Sequence, residues 1–304
     1  MPFPAEGNQI AERQRSPEAV VLLRAYRHAY SRSKSWHAVR LAGTVLVALA
    51  APAVILLAPW LEHPLGAIGG GWVLAARLVL RPAQERDTRF AVAVQELYDQ
   101  RVLGLLPAAV PQPPAYEQVH QQARRYHGDP DPDWYSVRPD VAPGAAALIA
   151  QRSSTVWSRR LYREWAVGLG VTAAGWAVLT TVIAAVCGAT VGEFLIAVLL
   201  PMMPALLDAT DLCQAHWRAG AERSALETRL DKELDQAARG RPPSPQDLRA
   251  QQDEITRQRL TQPPVPGWYY RLRRAGFETA MRAAAEQLAQ RIDAAAQAST
   301  AGRS

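Results

Sequence analysis

Lysine is almost missing from this chain. Lys34 and Lys232 are the only two, so the net charge of +6 rests on arginine. Cysteine is as scarce: Cys187 and Cys213 lie in or beside the longest apolar stretch with no Cys-x-x-Cys spacing, which excludes a disulfide scaffold and a zinc ribbon. No Gly-x-Ser-x-Gly, His-Glu-x-x-His, Walker motif or His/Cys cluster is present, so neither an enzyme nor a bound cofactor is expected. The Gly69-Gly70-Gly71 run lacks the Gly-Lys-Ser/Thr ending of a phosphate loop, and close helix packing is its expected use.

Charge itself is absent from one region. Trp165 to Leu207 is 43 residues with Glu193 as its single charged side chain, and the first 28 of them, Trp165 to Gly192, carry none. One membrane-spanning helix needs only ~20 residues. The polar break at Gly188, Thr190, Gly192 and Glu193 therefore predicts a helical hairpin, with spans over 165–186 and 194–212. A second hairpin is predicted over 41–80: Leu41 to Leu61 is uncharged, Glu62-His63-Pro64 makes a turn, and Leu65 to Leu80 is apolar apart from Arg77, which sits one turn from Arg81 and can snorkel to the headgroups. Pro52 predicts a kink in the first span, and Pro201 with Pro204 a kinked or partly unwound fourth. No cleavable signal or lipidation pattern is expected, so attachment rests on the spans.

The remaining segments read as helices outside the membrane. Residues 1–40 form a basic juxtamembrane helix with Ser16 as N-cap and Pro17 at its first position. Residues 81–163 form a helical insert broken at Pro107–Pro114 and at GDPDPDWYSVRPDVAP, its last helix running into the third span. Residues 164–212 are the second hairpin. Residues 213–304 form C-terminal helices capped at Ser244-Pro245, with Leu226, Leu230 and Leu234 spaced for helix packing and a disordered tail. The expected fold is an all-α membrane protein of four transmembrane helices in two hairpins.

Arginine and lysine sort uniformly. Seven lie before Leu41, twelve between Arg77 and Arg163 and fifteen after Asp208, which accounts for all 34, while both hairpin turns hold none. Both termini and the insert are then cytoplasmic. Topology explains the basic charge, so no direct DNA or RNA polymer binding is expected.

Within the insert, Arg124, Arg125, Tyr126, Trp134, Tyr135, Arg138, Gln151, Arg152, Trp157 and Arg160 combine guanidinium forks with aromatic faces. They suit either packing and headgroup contacts or the binding of a nucleotide-sized anion. Glu117 and His120 have the spacing of a carboxylate-bridged metal half-site, but no second half exists. Asp129, Asp131 and Asp133 lack the glycine and terminal glutamate of a calcium loop and read as a turn.

Two short-turn hairpins, RRYHGDPDPDWYSV, AQRSSTVWSRRLYR leading into the third span, PMMPALLD ending the fourth and the late PPVPGWYYRLRR together resemble the S-4TM family of bacterial pore-forming effectors, over Ala11 to Glu286. One departure is Ala150, where many relatives carry cysteine, which argues against a thiol role there. The resemblance implies an inner-membrane effector of nucleotide-second-messenger defence of the CBASS kind, in which a cyclic oligonucleotide made on phage infection triggers membrane disruption and cell death; a constitutive small channel or transporter, or a membrane scaffold without nucleotide gating, is the alternative. It further implies a homo-oligomer in contact with membrane lipid, with the ten insert residues as candidates for the ligand. Arg77, Glu193, Pro201, Pro204, Asp208 and Asp211 are the candidates for pore mouth or gate.

Overall fold

In the computed structural model, described for residues 8–57, 60, 62–108, 114–128 and 132–301, every regular element among the described residues is helical. Ser16 separates α1 (Ile10–Arg15) from α2 (Pro17–Leu57): its Oγ accepts from the Ala19 amide at 3.3 Å. α2 continues unbroken past Pro52, so the kink expected there is not a break in the helix. α3 (Glu62–Ala75) passes through a π turn, Ala76–Leu80, into α4 (Arg81–Leu103), which stops at Gly104 in the left-handed region, φ 66°. After α5 (Tyr116–Arg124), the longest helix, α6 (Pro143–Val186), spans the predicted insert–membrane junction without interruption. A turn closed by the Thr190–Glu193 capping box begins α7 (Val191–Glu193), a second π turn (Phe194–Leu199) and α8 (Leu200–Ala238). α9 (Pro245–Thr261) starts at a Ser244–Asp247 capping box, and α10 (Gly267–Ala301) ends the described chain.

The two π turns share a cause. Pro82 and Pro201 each stand two residues beyond the turn's end. A proline cannot donate to the carbonyl four residues back, and its ring clashes with that carbonyl; one widened turn relieves both. The irregularity expected at Pro201 and Pro204 takes the form of the π turn ahead of them, and the backbone of α8 is helical through both.

The long helices pair antiparallel. Going up α2, Tyr30 bonds Gln95 (2.8 Å), Ser33 bonds Thr88 (2.7 Å), Trp36 bonds Asp87 (3.0 Å), and Thr44 meets the Trp72 indole (3.4 Å). On α6 and α8, Arg152 meets Asp231 (2.5 Å), Arg159 meets Glu227 (2.8 Å), and the Cys213 thiol donates to the Ala166 carbonyl (3.2 Å). The close approach of α2 to α3 falls on Gly43, which packs on Trp72; Gly70 and Gly71 face open space. Of the glycine run, Gly69 does pack on α2, where a Cβ would lie 3.4 Å from Val47.

At the end where α1, α5, α9 and α10 gather, the core is conventional. The first turns of α6, Gly144 to Gln151, are buried all round, packed by α4, α8, α9 and α10, and Leu226, Leu230 and Leu234 are buried as their spacing predicts. A polar network crosses this core. Arg249 meets Glu96 at 2.7 Å, Arg259 meets Asp99 at 2.6 Å, and Gln252 donates to both carboxylates (3.1 and 2.9 Å).

At the other end the pattern inverts. Leu46, Leu74, Val171, Ile196 and Leu200 are each more than 60% exposed, although they sit in the most apolar part of the sequence. Apolar surface on that scale marks contact with lipid or with other protein. Among the described residues one helix, α6, is by itself long and apolar enough to cross a membrane, and almost none of its apolar stretch is buried.

Candidate ligand site between the helix pairs

Between the α2/α4 pair and the α6/α8 pair lies a cleft of about 1570 Å³ that reaches from the polar core down to Thr44 and Trp72 at the apolar end. One wall is a single stripe of α2. Arg27, Tyr30, Lys34, His37, Leu41 and Thr44 recur at steps of three and four, which places them on one helix face. The facing wall comes from Trp157 and Tyr162 on α6, Arg223 on α8, Gln262 after α9, and Tyr270 on α10.

The lining is strongly basic. Arg27, Lys34, Arg40, Arg77, Arg81, Arg89, Arg223, Arg259 and Arg271 contribute nine cations against three carboxylates, Glu85, Asp208 and Asp211. Arg223 is 1% exposed; its Nε donates to Gln262 Oε1 at 3.0 Å, its Nη1 has no partner among the described residues, and burial lowers its pKa to about 10. Lys34 lies 5.0 Å from the centre of the Tyr270 ring, and burial lowers its pKa to about 8, with Arg271 adding to the effect. Aromatic faces surround these cations: Trp157 packs edge-on to Trp134 (5.8 Å) and against Tyr270 (5.7 Å), and its indole N–H is also unpaired among the described residues. The PPVPGWYYRLRR segment builds this cluster by laying Val265, Tyr269 and Tyr270 on α6, and Phe277 follows from the same helix. A cavity with cations and flat rings on opposite walls is equipped to hold a polyanion that carries planar groups.

The ten insert residues do not converge on one site. Tyr126, Trp134 and Trp157 line the cleft. Tyr135 and Gln151 are core residues: the Tyr135 hydroxyl donates to Asp99 at 2.8 Å, and Gln151 donates to the Leu248 carbonyl at 2.9 Å. Arg152 is held by Asp231 and Glu227, and Arg138 by Asp140, Glu286 and Asp293. Arg124, Arg125 and Arg160 are exposed outside the cleft. Of the gate candidates, Arg77, Asp208 and Asp211 line the cleft. Glu193 accepts from the Thr190 amide and hydroxyl, both at 2.8 Å, in the exposed turn. Pro201 and Pro204 are described only as helical backbone.

Asp133 pairs with Arg15 at 2.9 Å, and Asp129 and Asp131 lie outside the described residues. His120 stacks on Tyr116, and no group of three metal-ligating side chains occurs among the described residues. Sequence reading missed Lys34, Tyr162 and Arg223. The polar stripe on α2 was the available signal, because a helix face of charged and aromatic groups at steps of three and four calls for a buried partner.

A protein of Bacillus cereus (strain VD146) described as a probable CBASS effector molecule is 23% identical over 212 residues, 65% of this chain and 70% of that one. No solved structure matches. Residues 8–288 match the SMODS-associating 4TM effector domain, and the chain belongs to that family.

Proposed function

We propose that this chain is a CBASS-type anti-phage effector of the bacterial inner membrane, switched on by a cyclic oligonucleotide to oligomerise and open pores in, or otherwise disrupt, the bilayer. The observation that carries this reading is the inversion of apolar exposure directly below a cationic and aromatic cleft, in a chain of this family. The relative described as a probable CBASS effector supports it.

In this reading four helical segments cross the membrane as two hairpins. α2 and α3 form the first, with the π turn completing a crossing of about 28 Å for the second arm. α6 and the α7–α8 segment form the second. Both termini and the insert are cytoplasmic, where the arginines are. Two hairpins enclose little space, so a conducting pathway needs several copies.

The test is dye release from liposomes of phosphatidylethanolamine and phosphatidylglycerol containing the full chain. Release that requires a member of a panel of cyclic di- and trinucleotides supports the proposal. Release without any nucleotide identifies a constitutive channel instead, and no release under any condition identifies a membrane scaffold.

A further inference from the structure

We propose that the activating anion seats in the cleft between the two helix pairs, with Lys34 and Arg223 as its phosphate-binding cations, one from each wall. This rests on the nucleotide-activated reading above and assigns it a site that lies away from the arginine-rich insert surface.

The contrast with the rest of the protein carries the assignment. Three other packed arginines in the protein are neutralised. Arg259 has Asp99 at 2.6 Å, Arg249 has Glu96 at 2.7 Å, and Arg159 has Glu227 at 2.8 Å. Lys34 and Arg223 have no carboxylate within ion-pair distance among the described residues. Arg223 is buried and Lys34 half-buried; a cation withdrawn from water without a counter-charge is unfavourable, and both of these line the cleft.

Arg223 is also aimed. Gln262 accepts from its Nε while donating 3.2 Å to Glu222, so the amide that orients the guanidinium is itself fixed and Nη1 remains for an incoming oxygen. Lys34 is steadied by the Tyr270 ring, and Trp157, Tyr162 and Tyr270 line the same cleft as the two cations. At about 1570 Å³ the cleft exceeds the ~300–1,000 Å³ of ordinary small-ligand sites and has room for a ring of two or more nucleotides. Because each wall belongs to a different helix pair, an anion held by both cations ties the pairs together.

A phospholipid headgroup offers the same phosphodiester chemistry from below, so the test separates the two sources. The full chain is placed in nanodiscs of phosphatidylcholine, with or without phosphatidylglycerol, and treated with an amine-acylating reagent near pH 8. With two lysines in the chain the footprint is simple: Lys34 in the cleft, Lys232 exposed outside it. Expected is a cyclic di- or trinucleotide that binds in phosphatidylcholine alone and slows acylation of Lys34 at least fivefold while leaving Lys232 unchanged. Lys34→Ala and Arg223→Gln each weaken that nucleotide at least tenfold; the footprint of the unmutated chain decides the matter if Arg223→Gln does not fold.

Nucleotide binding with Lys34 acylated at the unliganded rate, or lost in Arg124→Ala/Arg125→Ala but kept in Lys34→Ala, overturns the site while sparing the function. Protection by phosphatidylglycerol alone overturns it in favour of a lipid. No binding to the unmutated chain across the panel overturns the nucleotide reading and the site together.

Discussion

Arg259 sets its Nη1 2.6 Å from Asp99 Oδ2, with the two side chains only 10% and 1% exposed, and this contact fastens α9 onto α4 at the head of the cleft. Burial works against the charge on Arg259, and the Asp99 carboxylate outweighs it, so the guanidinium is held more firmly protonated than usual. Removing one partner strands the other. Asp99→Ala is expected to cost about 3–5 kcal/mol of stability, because a buried cation is left without its counter-charge. Arg138→Ala, whose ion pairs with Asp140 and Glu286 are exposed, is expected to cost far less. Chemical denaturation of both variants in one detergent checks the contrast.

Acid is expected to destabilise the protein before ordinary carboxylates titrate. His37 on α2 is lowered to about 4, chiefly by burial and then by Arg40; His216 on α8 is lowered to about 3, chiefly by burial and then by His37. Both imidazoles are neutral when folded and titrate near 6.5 when unfolded. Their contribution is complete above that value and lost as pH falls from about 6.5 toward 4. Melting temperatures from pH 8 to pH 4 should drop through this window. His37→Asn should flatten the drop; an unchanged curve would remove His37 from the account.

At the apolar end, Gly43→Val is expected to destabilise by about 1–3 kcal/mol, because a Cβ there overlaps the Trp72 indole and forces α2 from α3. Gly70→Ala, which meets nothing within 4 Å, should be neutral or slightly favourable. Thermal scans of the two variants in the same detergent give the comparison.

Reporters inserted at His63 and at Gly192 are expected to read as periplasmic, and one fused after Ser304 as cytoplasmic. Alkaline phosphatase and green fluorescent protein fusions supply the two readouts. A cytoplasmic signal at either turn would contradict the arginine sorting and the two-hairpin topology with it.

Much of the helix layout was legible because its signals are local. Ser16 and Ser244 cap where hydroxyl and proline neighbours say they should, and the uncharged run from Trp165 announces the apolar arm of α6. The cleft was not legible for the opposite reason: Lys34, Trp157, Arg223 and Tyr270 come from helices far apart in the chain and meet only through tertiary packing. Arg138 and Arg152 drew attention by type, yet their charges are met by Asp140 and Asp231. The π turns were hidden too, since Pro82 and Pro201 signal a disturbance without saying on which side the backbone absorbs it.

The continuity of α6 has a mechanical consequence. Its 44 residues form a rod of about 66 Å at 1.5 Å per residue, clamped on all sides at Gly144–Gln151 and loosely held at Val186. Pivoted at the clamped end, a tilt of about 10° displaces the far tip by about 11 Å over that length. Trp157 and Tyr162 sit close to the fulcrum, so a shift of an ångström at those rings is amplified severalfold at the outer face.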